Sequence, residues 1–249
     1  MSAKLKYGFL TLLLGLIGLV VSANLWKSSL KVKRFTIEGN RIVEAKEISQ
    51  LINVKRGTQI HDVDLMAVRK DILTHHFIKE VSVERDLPGT LRVIVTERVP
   101  LAIVNSSDML YLDEDGVVLP HSISKELFDL PVLSGFGQGN ELKPGTTIRN
   151  ADVQEALKIL AASKLVNNEL YHLISEIRLR EGSDIMLYAA EDGVPIIFGR
   201  GEIPSKLVRL EAFWNDVVRE KGSQNLQYVD LRFDDQVVVK WNEKALSLN

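Results

Sequence analysis

The 249-residue chain contains no cysteine. That absence removes thiolate nucleophiles, disulfides and cysteine-based metal or redox centres together, and it selects no compartment. An excess of positive charge is also missing. Lys and Arg number 31 against 33 Asp and Glu, for a net charge of −2. Such a balance offers no broad phosphate-binding surface, so nucleic acid is not an expected partner. The sequence lacks a G-x-S-x-G elbow, a phosphate loop and any zinc-ligand spacing. Of its five histidines, His61, His75, His76, His121 and His172, the neighbours His75 and His76 would point about 100° apart on a helix and could not face one metal. Asp113-Glu114-Asp115-Gly116 puts Tyr111 and Ser122 where a calcium loop needs its first and last acids, so it reads as a hairpin turn. Gly135-Phe136-Gly137-Gln138-Gly139-Asn140 lacks the final glycine of a dinucleotide fingerprint. No catalytic, cofactor-binding or metal-binding residue is therefore expected.

What is present begins with Phe9 to Leu25, 17 consecutive uncharged residues. With Tyr7, Gly8 and Trp26 the stretch reaches 20 residues, about 30 Å of helix, which matches one crossing of a hydrocarbon core with an aromatic residue at each interface. The rival reading is a cleavable signal peptide, because Val21-Ser22-Ala23 has cleavage-site spacing behind Lys4 and Lys6. The apolar run is longer than the roughly 7 to 15 residues of a signal core, which favours a retained anchor. Flanking charge does not set the orientation. Lys27, Lys31, Lys33 and Arg34 outnumber Lys4 and Lys6, but that rule weakens for long exported domains.

After a stalk at residues 27–31, Val32 to Glu38 alternates as a strand and Gly39-Asn40 ends it. Ile42 to Ile52 has helical spacing. A second helix is expected from Asp62 to about His75, capped by Asp62 or His61, with Leu65, Met66, Val68, Ile72 and Leu73 on one face. Two strands follow around Leu87-Pro88-Gly89-Thr90, which gives the order β-α-α-β-β. Pro100 marks a boundary. Beyond it lie short strands at Leu101 to Val104, Met109 to Leu112 and Val117 to Leu119, a surface loop at Ser134 to Asn150, and a helix at Asp152 to Val166. Strands at Leu173 to Leu179, Ile185 to Tyr188 and Val194 to Phe198 come next. A helix from Pro204 to about Arg219 precedes a final hairpin, Leu226 to Phe233 and Gln236 to Trp241. This second region is expected to be a mainly antiparallel sheet with flanking helices, so the fold class is α+β.

These elements carry local signatures. Phe35-Thr36-Ile37-Glu38-Gly39-Asn40, Val81-Ser82-Val83-Glu84-Arg85 and Thr96-Glu97-Arg98-Val99-Pro100-Leu101-Ala102 stand in the first region. Leu112-Asp113-Glu114-Asp115-Gly116, Leu130-Pro131-Val132-Leu133-Ser134-Gly135, Phe198-Gly199-Arg200 and Tyr228-Val229-Asp230-Leu231-Arg232-Phe233 stand in the second. In this order they resemble the FtsQ/DivIB family of bacterial cell-division proteins over nearly the whole chain. The resemblance departs where His76-Phe77 replaces Pro-Trp and where Asp235-Gln236 replaces a Ser-Gly turn.

The resemblance implies a cytoplasmic tail (1–8), a transmembrane helix (9–26, with Phe9 and Leu25 in it), a POTRA domain (32–100) and an FtsQ-type β domain (101–249). It implies a cell inner membrane protein with its large part in the periplasm at the septum. That protein would be a non-enzymatic scaffold without cofactors, binding FtsB-like and FtsL-like single-pass coiled-coil proteins and other divisome membrane proteins to help control septal wall synthesis. The partner-binding residues it implies are Tyr228, Arg232, Phe233, Val237, Val238, Val239 and Trp241. On the strand pattern alone, Val237, Val239 and Trp241 share one face while Val238 and Lys240 share the other. The Val237/Val239 side is equally readable as a core-packed face. Two other classes remain open at this point. One is a POTRA-containing chaperone-like assembly or translocation factor, which usually carries repeated POTRA units. The other is an anchored wall hydrolase, which would need a paired-carboxylate cleft.

Overall fold

In a computed structural model, residues 3–105, 109–121, 128–136, 142–179 and 183–242 are described. The chain divides into two compact units, Met1–Glu97 and Arg98–Asn249. The first opens with α1, Ala3–Ser29, which contains the whole uncharged run. The side chain of Phe9 lies outside the described residues, while Leu25 is exposed. Among the described residues no helix is long and apolar enough to cross a membrane. The described side chains of α1 do not form one unbroken stretch, so the anchor reading rests on the sequence.

The remainder of the first unit is β1 (Arg34–Glu38), α2 (Ala45–Gln50), α3 (Leu65–Ile72), β2 (Ile78–Asp86) and β3 (Thr90–Glu97). The three strands form one sheet in the order β1-β3-β2, with β1 parallel and β2 antiparallel to β3. Two expectations for α3 are corrected. Its cap is Asp64, whose carboxylate accepts from the N–H groups of Met66 at 2.9 Å and Ala67 at 3.1 Å, because Asp62 is taken into the preceding turn by Gln59. Its buried face is Val68 and Ile72, while Met66 is 67% exposed. A helix of eight residues presents little more than one i, i+4 pair to a sheet. The helix also stops before the histidines, and His75 turns back to Glu47 at 3.1 Å. The Thr96-Glu97 signature has a physical reason. The Glu97 carboxylate receives the backbone N–H groups of Arg41, Ile42 and Val43 at 2.7 to 2.9 Å, tying the loop after β1 to the end of β3.

The second unit contains β4 (Pro100–Asn105), β5 (Met109–Asp113), β6 (Val118–Pro120), β7 (Val132–Ser134), α4 (Ala151–Val166), α5 (Asn168–Leu173), β8 (Ile174–Arg178), β9 (Ile185–Ala189), β10 (Pro195–Gly199), α6 (Ile203–Phe213), a π-helical turn (Trp214–Val218), α7 (Arg219–Lys221), β11 (Leu226–Asp230) and β12 (Val238–Trp241). All nine strands lie in one sheet, ordered β12-β11-β10-β9-β8-β7-β4-β5-β6. Antiparallel pairing dominates, but β4 with β7, β7 with β8, and β10 with β11 are parallel. A parallel neighbour needs a crossover, which α4 with α5 provides for one pair and α6 with α7 for another. Buried residues of α4 (Val153, Leu157, Leu160) and α6 (Leu207, Leu210) share one core with the alternating strand residues Ile177, Leu187, Ile196 and Val229. The Asp113 turn is a β5–β6 hairpin, as expected. The Asp113 carboxylate, 1% exposed, accepts from the N–H groups of Asp115 and Val117 and from Arg98 at 2.6 Å. Of the Gly135-to-Asn140 run, residues 137–140 lie outside the described residues.

Candidate functional site: the terminal strand edge

β11 is seated in the sheet by alternation. Leu226 and Val229 are buried, while Gln227 and Tyr228 are half-buried. β12 returns antiparallel, with Tyr228 opposite Lys240, Val229 opposite Val239 and Asp230 opposite Val238. The register shift between Leu226 and Tyr228 lies on β11, which leaves β12 regular. Among the described residues β12 pairs with β11 alone and ends the sheet.

The direction of the free edge follows from one hydrogen bond. Asn242 N–H donates inward to the Asn225 carbonyl at 2.8 Å. Along an antiparallel strand successive residues turn their N–H and C=O to opposite edges. Lys240 and Val238 therefore bond inward to β11, and Val239 and Trp241 present their backbone groups outward. An edge of this kind is a template for another strand.

The side chains divide differently. Val237, Val239 and Trp241 all pack against the core of the second unit, so the core reading of the Val237/Val239 side holds and extends to Trp241. Lys221 Nζ lies 5.9 Å from the Trp241 ring centroid. Val238 and Lys240 fall on the opposite face. Phe233, 46% exposed, stands in the connection between the strands.

Arg232 is held within the chain. Its guanidinium reaches Asp230 at 2.6 Å and Asp184 at 2.9 Å, and its own N–H donates to Asp230 at 3.0 Å. Hydrogen bonds from Arg232 hold the Asp230 carboxyl below its usual range, against the upward push of burial. The same bonds raise the Arg232 guanidinium. Here two sequence signatures meet. Gly199 has φ +72°, and a Cβ there would stand 2.7 Å from Arg232 Cγ. Only glycine fits this backbone beside that side chain. The adjacent Arg200 binds Asp152 at 2.7 Å and Glu155 at 2.9 Å on α4, and Lys206, 4% exposed, donates to the Arg200 carbonyl at 2.7 Å. The Phe198-Gly199-Arg200 segment thus fastens β10 to α4, to α6 and to the residues after β11.

All seven sequence-expected residues lie on the β11–β12 hairpin. Asp184 was not anticipated, since nothing in the sequence links it to an arginine 48 positions away. Among the described residues no group of three or more histidine, aspartate or glutamate side chains could hold a metal ion.

Residues 30–98 match the POTRA domain, FtsQ-type. Residues 102–232 match the family described as cell division protein FtsQ/DivIB, C-terminal. Cell division protein FtsQ of Geobacter sp. (strain M21) is 31% identical over 215 residues, covering 85% of this chain and 76% of that protein. The protein of that name from Rhodothermus marinus is 30% identical over 224 residues, covering 87% and 80%. That of Salinibacter ruber is 26% identical over 238 residues, covering 92% and 90%.

Proposed function

The chain belongs to the FtsQ/DivIB family of cell-division proteins, and from that premise we propose that it is a membrane-anchored, non-enzymatic scaffold of the division machinery. It captures small single-pass coiled-coil proteins of the FtsB and FtsL type by strand addition to β12, and through them helps control septal wall synthesis. The observation that carries this reading is the outer edge of β12, which pairs with no strand among the described residues. Its ladder groups on Val239 and Trp241 face away from β11, while its core-packed side chains hold the strand in place. An incoming strand would gain main-chain hydrogen bonds there without rearrangement of the sheet.

The uncharged Phe9–Leu25 run, contained within the single helix α1, supports one crossing of the inner membrane, with the three-stranded part of the first unit and the whole second unit on the periplasmic side. In the first unit β1 is also a sheet edge, a second surface for recruitment to the septum.

Site-specific photocrosslinking in dividing cells tests the reading. The probe belongs at Lys240, which is exposed and on the outer face of the strand, because Trp241 packs against the core. Lys158, exposed on α4, is the control. Capture of a small coiled-coil membrane protein from Lys240 and not from Lys158 is expected. Equal capture from both positions, or capture of outer-membrane precursors from Lys240, contradicts the reading.

A further inference from the structure

The seven residues between β11 and β12, Leu231 to Val237, include a position in the left-handed region. Asp235 has φ +54°, where aspartate is tolerated less well than glycine. Such a turn needs restraint from outside, and one side chain provides it. Arg209, on α6, donates from Nη1 to the Phe233 carbonyl at 2.5 Å and to the Gln236 carbonyl at 3.2 Å. These two carbonyls bracket Asp234-Asp235. Among the described residues no other hydrogen bond reaches residues 233–236. The Arg209 Nε is buried without a hydrogen-bond partner among the described residues, so the guanidinium sits in the fold and is spent on this turn.

We propose that Arg209 is a positioning residue for strand addition. By clamping the Phe233 and Gln236 carbonyls, it sets where β12 begins and keeps the edge of Val239 and Trp241 formed before a partner arrives. This rests on the reading of β12 as the capture strand and deepens it. A preformed edge spares the partner the ordering cost of a loose strand, which is how rigid binding elements gain affinity.

The test uses the full chain in detergent micelles or nanodiscs, with backbone amide hydrogen exchange and titration of a soluble coiled-coil partner fragment as separate readouts. In Arg209→Gln, exchange at Val238 and Lys240 rises while exchange at Leu187 and Ile196 in the sheet interior stays unchanged. Partner Kd weakens about tenfold or more, the scale of losing charge-assisted hydrogen bonds. Adding Asp235→Gly to that variant relaxes the turn and recovers part of the affinity. Exchange across 233–240 unchanged in Arg209→Gln overturns the clamp. Looser exchange with unaltered affinity overturns its role in positioning, and weaker affinity without looser exchange shows that Arg209 touches the partner instead. Failure of the underlying reading looks different: partner binding then leaves the Val239 and Trp241 amides unprotected even in the parent chain.

Discussion

Replacing Val239 by proline separates the two edges of β12. Val239 lies opposite Val229, and the inward bond of Asn242 to Asn225 places the Val239 N–H on the outer edge. Proline there removes no bond to β11, and prolines are accommodated on edge strands where the missing N–H faces solvent. The preceding Val238 is already extended, as a residue before proline prefers. The hairpin should remain folded. A partner strand would use the outward N–H and C=O groups of Val239 and Trp241, and at about 1 kcal/mol net per bond that ladder contributes roughly 4 kcal/mol, near a thousandfold in Kd. Loss of one donor leaves a partner carbonyl unpaired in the interface, which costs about 1–3 kcal/mol, or roughly 5- to 150-fold in Kd. The ring also intrudes on the space of the incoming strand, which favours the upper end. Isothermal titration with the coiled-coil partner, paired with a thermal melt, measures both effects. Lys240→Pro is the counterpart. It deletes an inward donor, so it should lower the melting temperature and loosen the hairpin. A Val239→Pro chain that binds with unchanged Kd, or that melts like Lys240→Pro, would refute the assignment of edges.

Further outcomes follow from the packing around the hairpin. Trp241→Ala should weaken partner capture and also lower the stability of the second unit, by about 2 kcal/mol, since its ring packs against the core; an unaltered melt would show that the indole contributes only at the surface. Gly199→Ala forces a Cβ to 2.7 Å from Arg232 Cγ at a φ of +72°, so thermal unfolding should show a loss of about 1–3 kcal/mol, and parent-like stability would refute the requirement for glycine. Asp230 and Glu155 are both held below the ordinary carboxylate range. Arg232 hydrogen bonds lower Asp230. For Glu155, burial pushes upward but the Gly201 N–H and Arg200 outweigh it. Their folded forms release protons more readily than the unfolded chain, so this stabilisation is complete above about pH 5 and is lost as pH falls below about 4. Melts at pH 7, 5 and 3 should show the drop only in the last interval, and Asp230→Asn should reduce it.

The long elements were legible because their patterns repeat. The face of Val153, Ala156, Leu157 and Leu160 reads as α4, and alternation around Leu187 and Ile196 reads as β9 and β10. The sheet is mainly antiparallel, as expected, and the helices expected at Asp152 to Val166 and from Pro204 held the clue to its parallel pairs, since a helix between strands is a crossover. Two short elements escaped. β7 has three residues and α5 six, too few for periodicity; α5 starts where the Asn167 side chain accepts from the Glu169 N–H. For α3, His61, Asp62 and Asp64 compete as caps, and only the turn from Gln59 decides. At the candidate site the two strands were readable from position and motif, but not their ends: the expected Leu226 to Phe233 and Gln236 to Trp241 shorten to Leu226–Asp230 and Val238–Trp241, which leaves Arg232, Phe233 and Val237 in the connection. The sequence could not show that Arg232 is spent on Asp230 and Asp184, that Gly199 yields to Arg232, or that Arg209 holds the turn, because each joins residues distant along the chain or binds a backbone carbonyl that leaves no mark in the sequence.

The central claim, that β12 is the capture strand, is tested most directly by residue-resolved amide hydrogen exchange of the full chain with and without its coiled-coil partner. The outward amides of Val239 and Trp241 should exchange freely alone and become protected in the complex, while the inward amides of Val238 and Lys240 are protected in both. Protection that arises elsewhere, with Val239 and Trp241 still exchanging freely in a saturated complex, would contradict strand addition at this edge.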